Sequence, residues 1–164
     1  MKILGLPGRD QATVAWLQQL LSAITDGNHE VTLPSYRHWR SAQLPDPIHE
    51  ADQVHALDVD LVVAKSMGTM VLLELLEKGV APPAVVLIGV PLAGYSDAQT
   101  GGLKALVSRR PCLCIQQTDD FAGSYQQLAA LLEGSEANLQ EVSGSDHVYS
   151  DTAQLATLIN AWLD

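Results

Sequence analysis

The chain has 164 residues, 47% of them apolar and only 5% aromatic, and carries a formal net charge of −10. Those values fit one globular domain, residues 1–164, with a core of Leu, Val, Ala and Ile, and they exclude a disordered chain. The acidic balance repels phosphate backbones, and no run of Lys or Arg is present to hold anionic lipid, so neither nucleic acid nor a membrane is an expected partner.

The first apolar stretch, Lys2–Leu6, is broken at once by Pro7 and Gly8. It is too short for a secretory signal core and reads as a strand. Asp10 can cap the helix that follows, in which Val14, Leu17, Leu21 and Ile24 mark one face at helical spacing. A strand over Glu30–Leu33 and a helix near Ile48–Leu57 come next. The run Asp60–Lys65 is a strand, and a helix starts directly after Ser66, carrying Met70, Val71, Leu73 and Leu76 and stopping at Gly79. Strand Ala84–Gly89, helix Leu103–Ser108, strand Cys112–Gln117, helix Ser124–Leu132 and strand Leu139–Val142 follow in turn. The last element is a helix over Thr152–Leu163, with Leu155, Leu158, Ile159 and Trp162 on a shared face. No segment approaches the roughly 20 apolar residues of a membrane span, and a soluble cytoplasmic protein is expected.

Several strand runs are continuously apolar rather than alternating, such as Leu61-Val62-Val63-Ala64 and Val85-Val86-Leu87-Ile88. Strands buried on both faces of a parallel sheet have that pattern. Strand–helix alternation through the whole chain predicts an α/β three-layer sandwich, with helices on both faces of a parallel sheet. In such sheets ligands bind beyond the carboxyl ends of the strands, which makes the residues after each strand the ones to read for chemistry.

The third strand ends in Ala64-Lys65-Ser66-Met67-Gly68 and runs straight into a helix. A buried strand, a sharp turn and a helix form a nucleophile elbow, which lifts a serine clear of the sheet. The small residues Ala64 and Gly68 let strand and helix approach closely, and the helix N-terminus adds positive potential. A serine at neutral pH needs a general base and the base needs an orienting carboxylate. On elbows of this kind the chain order is Ser, then Asp or Glu, then His. Asp119 and Asp120 follow the fifth strand and His147 follows the sixth, in that order. The other histidines fit less well: His29 precedes a strand, His38 precedes the serine, and His49 and His55 fall in a helix. The residues alone leave Asp119 and Asp120 open as the carboxylate. Two backbone N–H groups are expected to form an oxyanion hole, one from Met67 and one from the loop Leu6-Pro7-Gly8-Arg9-Asp10. Pro7 has no N–H, which leaves Arg9, with Gly8 as the alternative. Cys112 and Cys114, two apart on a strand, face the same way as buried small hydrophobes, and neither a redox motif nor a metal set is expected.

With these stretches in view the chain resembles the minimal single-domain α/β-hydrolases, related to dienelactone hydrolase and to the retinoblastoma-binding-protein-9-like serine hydrolases. The matching stretches are Leu6-Pro7-Gly8, Val62 to Gly68, Asp120-Phe121-Ala122-Gly123 and Asp146-His147. The resemblance implies six parallel strands in the order 2-1-3-4-5-6 without a cap domain. It also favours Asp120 over Asp119 and supports Arg9 as the oxyanion donor. Ala64 departs from the family's first elbow glycine. The implied site is shallow, walled by Ser35–Pro47 and Pro91–Asp97, with Tyr36, His38, Trp39 and Tyr95 as candidate wall residues. The expected function is a serine hydrolase acting on a small acyl ester or thioester, through Ser66, Asp120 and His147 with Met67 and Arg9 holding the oxyanion. No cofactor is expected, and the protein is expected to be a monomer or homodimer. The alternative is a non-catalytic interaction protein on the same scaffold. A flavodoxin-like nucleotide binder is disfavoured, because Leu6-Pro7-Gly8-Arg9 lacks the amides and hydroxyls that cradle a phosphate.

Overall fold

In a computed structural model, described for residues 1–24, 29–55 and 58–164, six strands form one parallel sheet in the order β2-β1-β3-β4-β5-β6. The strands are β1 (Lys2–Leu6), β2 (Glu30–Thr32), β3 (Leu61–Lys65), β4 (Ala84–Ile88), β5 (Cys112–Gln117) and β6 (Asn138–Val142). The helices are α1 (Ala12–Ser22), α2 (Pro47–Asp52), α3 (Met67–Glu77), α4 (Asp97–Arg109), α5 (Tyr125–Leu131) and α6 (Thr152–Leu163). Among the described residues no helix is long and apolar enough to cross a membrane.

Period-two alternation along the strands divides the core into two layers. Ile3, Leu61, Val63, Val86, Ile88, Leu113 and Ile115 meet Leu17, Leu20 and Leu21 of α1 and Leu155, Ala156 and Ile159 of α6. Leu4, Leu6, Val62, Ala64, Val85, Leu87, Cys112 and Cys114 face α3, α4 and α5. The continuously apolar strands therefore supply both layers at once. Cys112 and Cys114 are buried on the same face with Sγ atoms 3.9 Å apart, as unpaired thiols.

Helix ends follow local chemistry. Gly79, at φ 90°, closes α3 in a Schellman arrangement, with its N–H donating to Leu76 O and that of Val80 donating to Leu75 O. α4 begins six residues earlier than its apolar run predicts, because Ser96 and Gln99 form a reciprocal capping box that carries the helix through Gly101 and Gly102. α2 ends at Asp52, short of the predicted Leu57, which lies outside the described residues. The N-cap of α1 is Gln11, whose side chain makes no cap bond, not the expected Asp10; Asp10 stands one residue earlier and accepts from the Ala12 N–H.

Candidate active site

β1, β3, β4, β5 and β6 all end on one edge of the sheet, and the loops leaving that edge bring distant residues together. At the end of β3 the chain turns so sharply into α3 that Ser66 sits at φ 51° and ψ −118°, outside the regions open to most L-residues. The turn is held by the Ser66 N–H donating to Ile88 O of β4. It also requires Gly68: a Cβ there would lie 2.1 Å from Leu6 O. The neighbouring Ala64 is fully buried with its methyl accommodated, so the departure at this position leaves the turn intact.

Ser66 Oγ lies 2.7 Å from His147 Nε2, and His147 Nδ1 lies 2.8 Å from each oxygen of Asp120. A carboxylate only accepts, so Nδ1 carries the proton, Nε2 is left as an acceptor, and the Ser66 hydroxyl donates to it. Asp120 is buried, at 3% exposure, and also accepts from the Ala122 N–H at 2.9 Å and from the Tyr149 hydroxyl at 2.7 Å. Asp119 is exposed and points its amide, not its carboxylate, into the structure, with its N–H donating to Gly144 O. The geometry thus joins Asp120 to the histidine and leaves Asp119 outside.

Burial, followed by the nearby Lys65 cation, lowers the His147 pKa, while the Asp120 hydrogen bond pulls it the other way. The net direction keeps the imidazole neutral, as a base must be. Met67 opens α3, so its N–H is among those that the first turn of a helix leaves without an intrahelical acceptor. The loop after β1 reaches the serine as well: a Cβ at Gly8 would stand 3.5 Å from Ser66 Cβ. Among the described residues no three His, Cys, Asp or Glu side chains are grouped to hold a metal ion.

No protein-family model and no curated protein sequence matches the chain. Solved structures do. An α-β serine hydrolase homologue from Coxiella burnetii superposes with a TM-score of 0.72 at 14% identity, over 99% of this chain and 84% of the other. A thioesterase domain from the curacin biosynthetic pathway gives 0.71 at 16%, over 96% and 90%. An uncharacterized protein from Bacillus cereus ATCC 10987 gives 0.69 at 17%, over 99% of this chain but only 60% of the other's length. The chain has the α/β-hydrolase fold.

On this α/β-hydrolase scaffold four residues outside the sequence-derived set hold the His147–Asp120 pair in place. Tyr149, two residues beyond His147, is buried, and its hydroxyl accepts from the Gln117 N–H while donating to Asp120. Gln117 also accepts the His147 N–H through Oε1 and donates to Asp146 through Nε2. Lys65, in the elbow itself, is 2% exposed; its ammonium donates to His147 O at 2.9 Å and lies 4.7 Å from the Tyr149 ring. Trp16 of α1 donates to Tyr149 O. The signals for Lys65 and Tyr149 were proximity alone: one is next to the serine, the other two residues from the histidine.

The predicted walls need one correction. Tyr36 is fully buried, and its hydroxyl donates to Pro7 O, so it is packed beneath the loop after β1 instead of lining an open site. His38 and Trp39, half-buried, both donate to Arg9 O. The Tyr95 hydroxyl is bonded to Thr69 Oγ1 of α3. Phe121, 74% exposed, stands beside His147, with the two ring centroids 5.4 Å apart.

Proposed function

We propose that the protein is a serine hydrolase that cleaves a small carboxylic ester or thioester through an acyl-enzyme on Ser66. The observation that carries this reading is the unbroken hydrogen-bonded line from Ser66 Oγ to His147 Nε2 and from His147 Nδ1 to Asp120. In the first half-reaction Ser66 Oγ attacks the acyl carbon as its proton passes to His147 Nε2. The imidazolium formed is stabilised by Asp120, and the tetrahedral oxyanion is held by the Met67 and Arg9 N–H groups. Collapse expels the alcohol or thiol, which takes the proton from His147. Water then attacks the acyl-enzyme with His147 again as base, releasing the acid and restoring Ser66. The exposed Phe121 beside the base suits a small or open-ended acyl substrate. The proposal includes a cytoplasmic setting, which two unpaired thiols suit, and a monomer or homodimer.

The test is labelling of the folded protein by a fluorophosphonate probe. The expected result is labelling of the wild type, with loss of label in Ser66→Ala and a fall of at least ~10³-fold in labelling rate in His147→Ala. A folded wild type that takes no label would overturn the reading in favour of a non-catalytic binding protein.

A further inference from the structure

The loop that would supply the second oxyanion donor is held from outside by a short segment that none of the chemistry above uses. Residues Arg37–Trp39 form a single 3-10 turn, entered through Tyr36 in extended backbone. Three side chains of this segment donate to two carbonyls of the loop after β1. Tyr36 donates to Pro7 O at 3.0 Å, while His38 Nε2 and Trp39 Nε1 donate to Arg9 O at 2.7 and 2.8 Å. A carbonyl cannot donate, so the His38 proton sits on Nε2.

The turn is itself anchored from below. Glu50 of α2 is 2% exposed, and both its carboxylate oxygens accept the Arg37 N–H, at 3.0 and 3.1 Å. His38 Nδ1 lies 3.8 Å from Glu50 Oε1. The rings of Tyr36 and Trp39 pack together with centroids 4.8 Å apart.

Peptide planarity converts these tethers into control of the loop's N–H groups. In a trans peptide the C=O and N–H are antiparallel, so fixing Pro7 O fixes the Gly8 N–H, and fixing Arg9 O fixes the Asp10 N–H. The Gly8–Arg9 peptide, which carries the Arg9 N–H, lies between the two. The Cα atoms at both its ends are therefore held in place, and the Arg9 N–H can be re-aimed only by a flip of that one plane. Gly8 would otherwise make this segment of the backbone unusually free to turn.

We propose that Tyr36 and Trp39 are positioning residues that set the oxyanion-binding N–H of the Gly8–Arg9 segment, through their hydrogen bonds to Pro7 O and Arg9 O. His38 shares the Arg9 carbonyl with Trp39. The inference rests on the serine-hydrolase reading and deepens it. Tyr36 and Trp39 do not touch the reacting atoms; they act through the loop.

Tyr36→Phe and Trp39→Phe each delete one donor and keep an aromatic ring. Steady-state hydrolysis of p-nitrophenyl acetate separates kcat from KM. Binding of phenylboronic acid, which forms a tetrahedral adduct on an activated serine, reads the oxyanion site directly. The expected result is a fall of about tenfold in kcat in each variant, below the ~10²–10³-fold cost of removing an oxyanion donor outright. KM stays within about twofold, and boronate affinity falls in parallel with kcat. A merely structural role would leave boronate affinity unmoved in a folded variant. Should the buried Tyr36 hydroxyl prove necessary for folding, the double variant His38→Phe with Trp39→Phe, at two half-buried positions, removes both donors to Arg9 O and still decides the matter.

Unchanged kcat and boronate affinity in the folded variants, with an active wild type, overturn this inference and leave the serine-hydrolase reading standing. A wild type that neither hydrolyses the ester nor takes the phosphonate label overturns both, since there is then no oxyanion to position.

Discussion

Ser66 is held at φ 51° and His147 at φ 63°, both left-handed values that a non-glycine residue adopts at a cost of about 1–3 kcal/mol each. What over-determines the His147 backbone is visible: its N–H donates to Gln117 and its carbonyl accepts from Lys65. Its imidazole is aligned by Asp120, which Tyr149 in turn fixes. Tyr149→Phe removes one donor from a buried carboxylate, and the expected effects are a loss of about 1–2 kcal/mol in stability to chemical denaturation and a several-fold fall in kcat. Because burial and the Lys65 cation lower the His147 pKa, the acid limb of kcat/KM has its midpoint below the ordinary histidine value of about 6.5. Lys65→Met removes that cation and moves the limb towards higher pH, which a pH–rate profile on a neutral ester measures. The serine, the carboxylate pair and the histidine, which the structure brings together, could be picked out in the sequence because each follows a strand and their order matches the elbow pattern. Lys65, Gln117 and Tyr149 were not: they act by hydrogen bonds between loops, and nothing in residue spacing announces a partner on another loop.

At the scale of elements, the elbow depends on how closely α3 can approach β1. A Cβ at Gly68 would meet backbone atoms of Leu6 and Pro7, which cannot swing aside as a flexible side chain can. Gly68→Ala is therefore expected to destabilise the fold by about 3 kcal/mol, read from the denaturation midpoint, and to abolish phosphonate labelling in whatever fraction folds. Ala64→Gly, by contrast, restores the commoner elbow residue without raising activity. It costs about 1 kcal/mol, because the strand loses a buried methyl and gains backbone freedom. The strands were read almost to the residue, since runs such as Val85–Ile88 are apolar on both faces and leave no other assignment. The short helical pieces escaped. The turn at Arg37–Trp39 is one turn long and has no periodicity to detect, and the first half of α4 is polar and glycine-containing, with only Ser96 and Gln99 to mark its start.

For the whole molecule, the lysine in the elbow sets a pH dependence of stability. Burial lowers the Lys65 pKa to about 8 from an ordinary value of 10.5. Between those two values the unfolded chain binds more protons at this group than the folded one, so the Lys65 contribution to stability rises with pH across the window. The gain approaches about 3 kcal/mol by the upper end. Above about pH 10 the sign reverses, because burial raises the hydroxyl pKa values of Tyr36, Tyr95 and Tyr149, and the unfolded chain ionises its tyrosines first. Equilibrium denaturation at pH 7, 8, 9 and 10 is expected to show wild-type stability rising relative to Lys65→Met, with the gap widening steadily to pH 10.

The strand order has a further consequence in time. Ser66 leaves the third strand, in the middle of the sheet, whereas His147 arrives only after β6 has added to the far edge. A chain emerging from the ribosome exposes Ser66 roughly 80 residues before His147. Until β6 docks on β5, the serine has no proton acceptor and the loop holding Asp120 has no Tyr149 to steady it. On the serine-hydrolase reading, the nascent protein stays chemically mute until the last strand has joined the sheet.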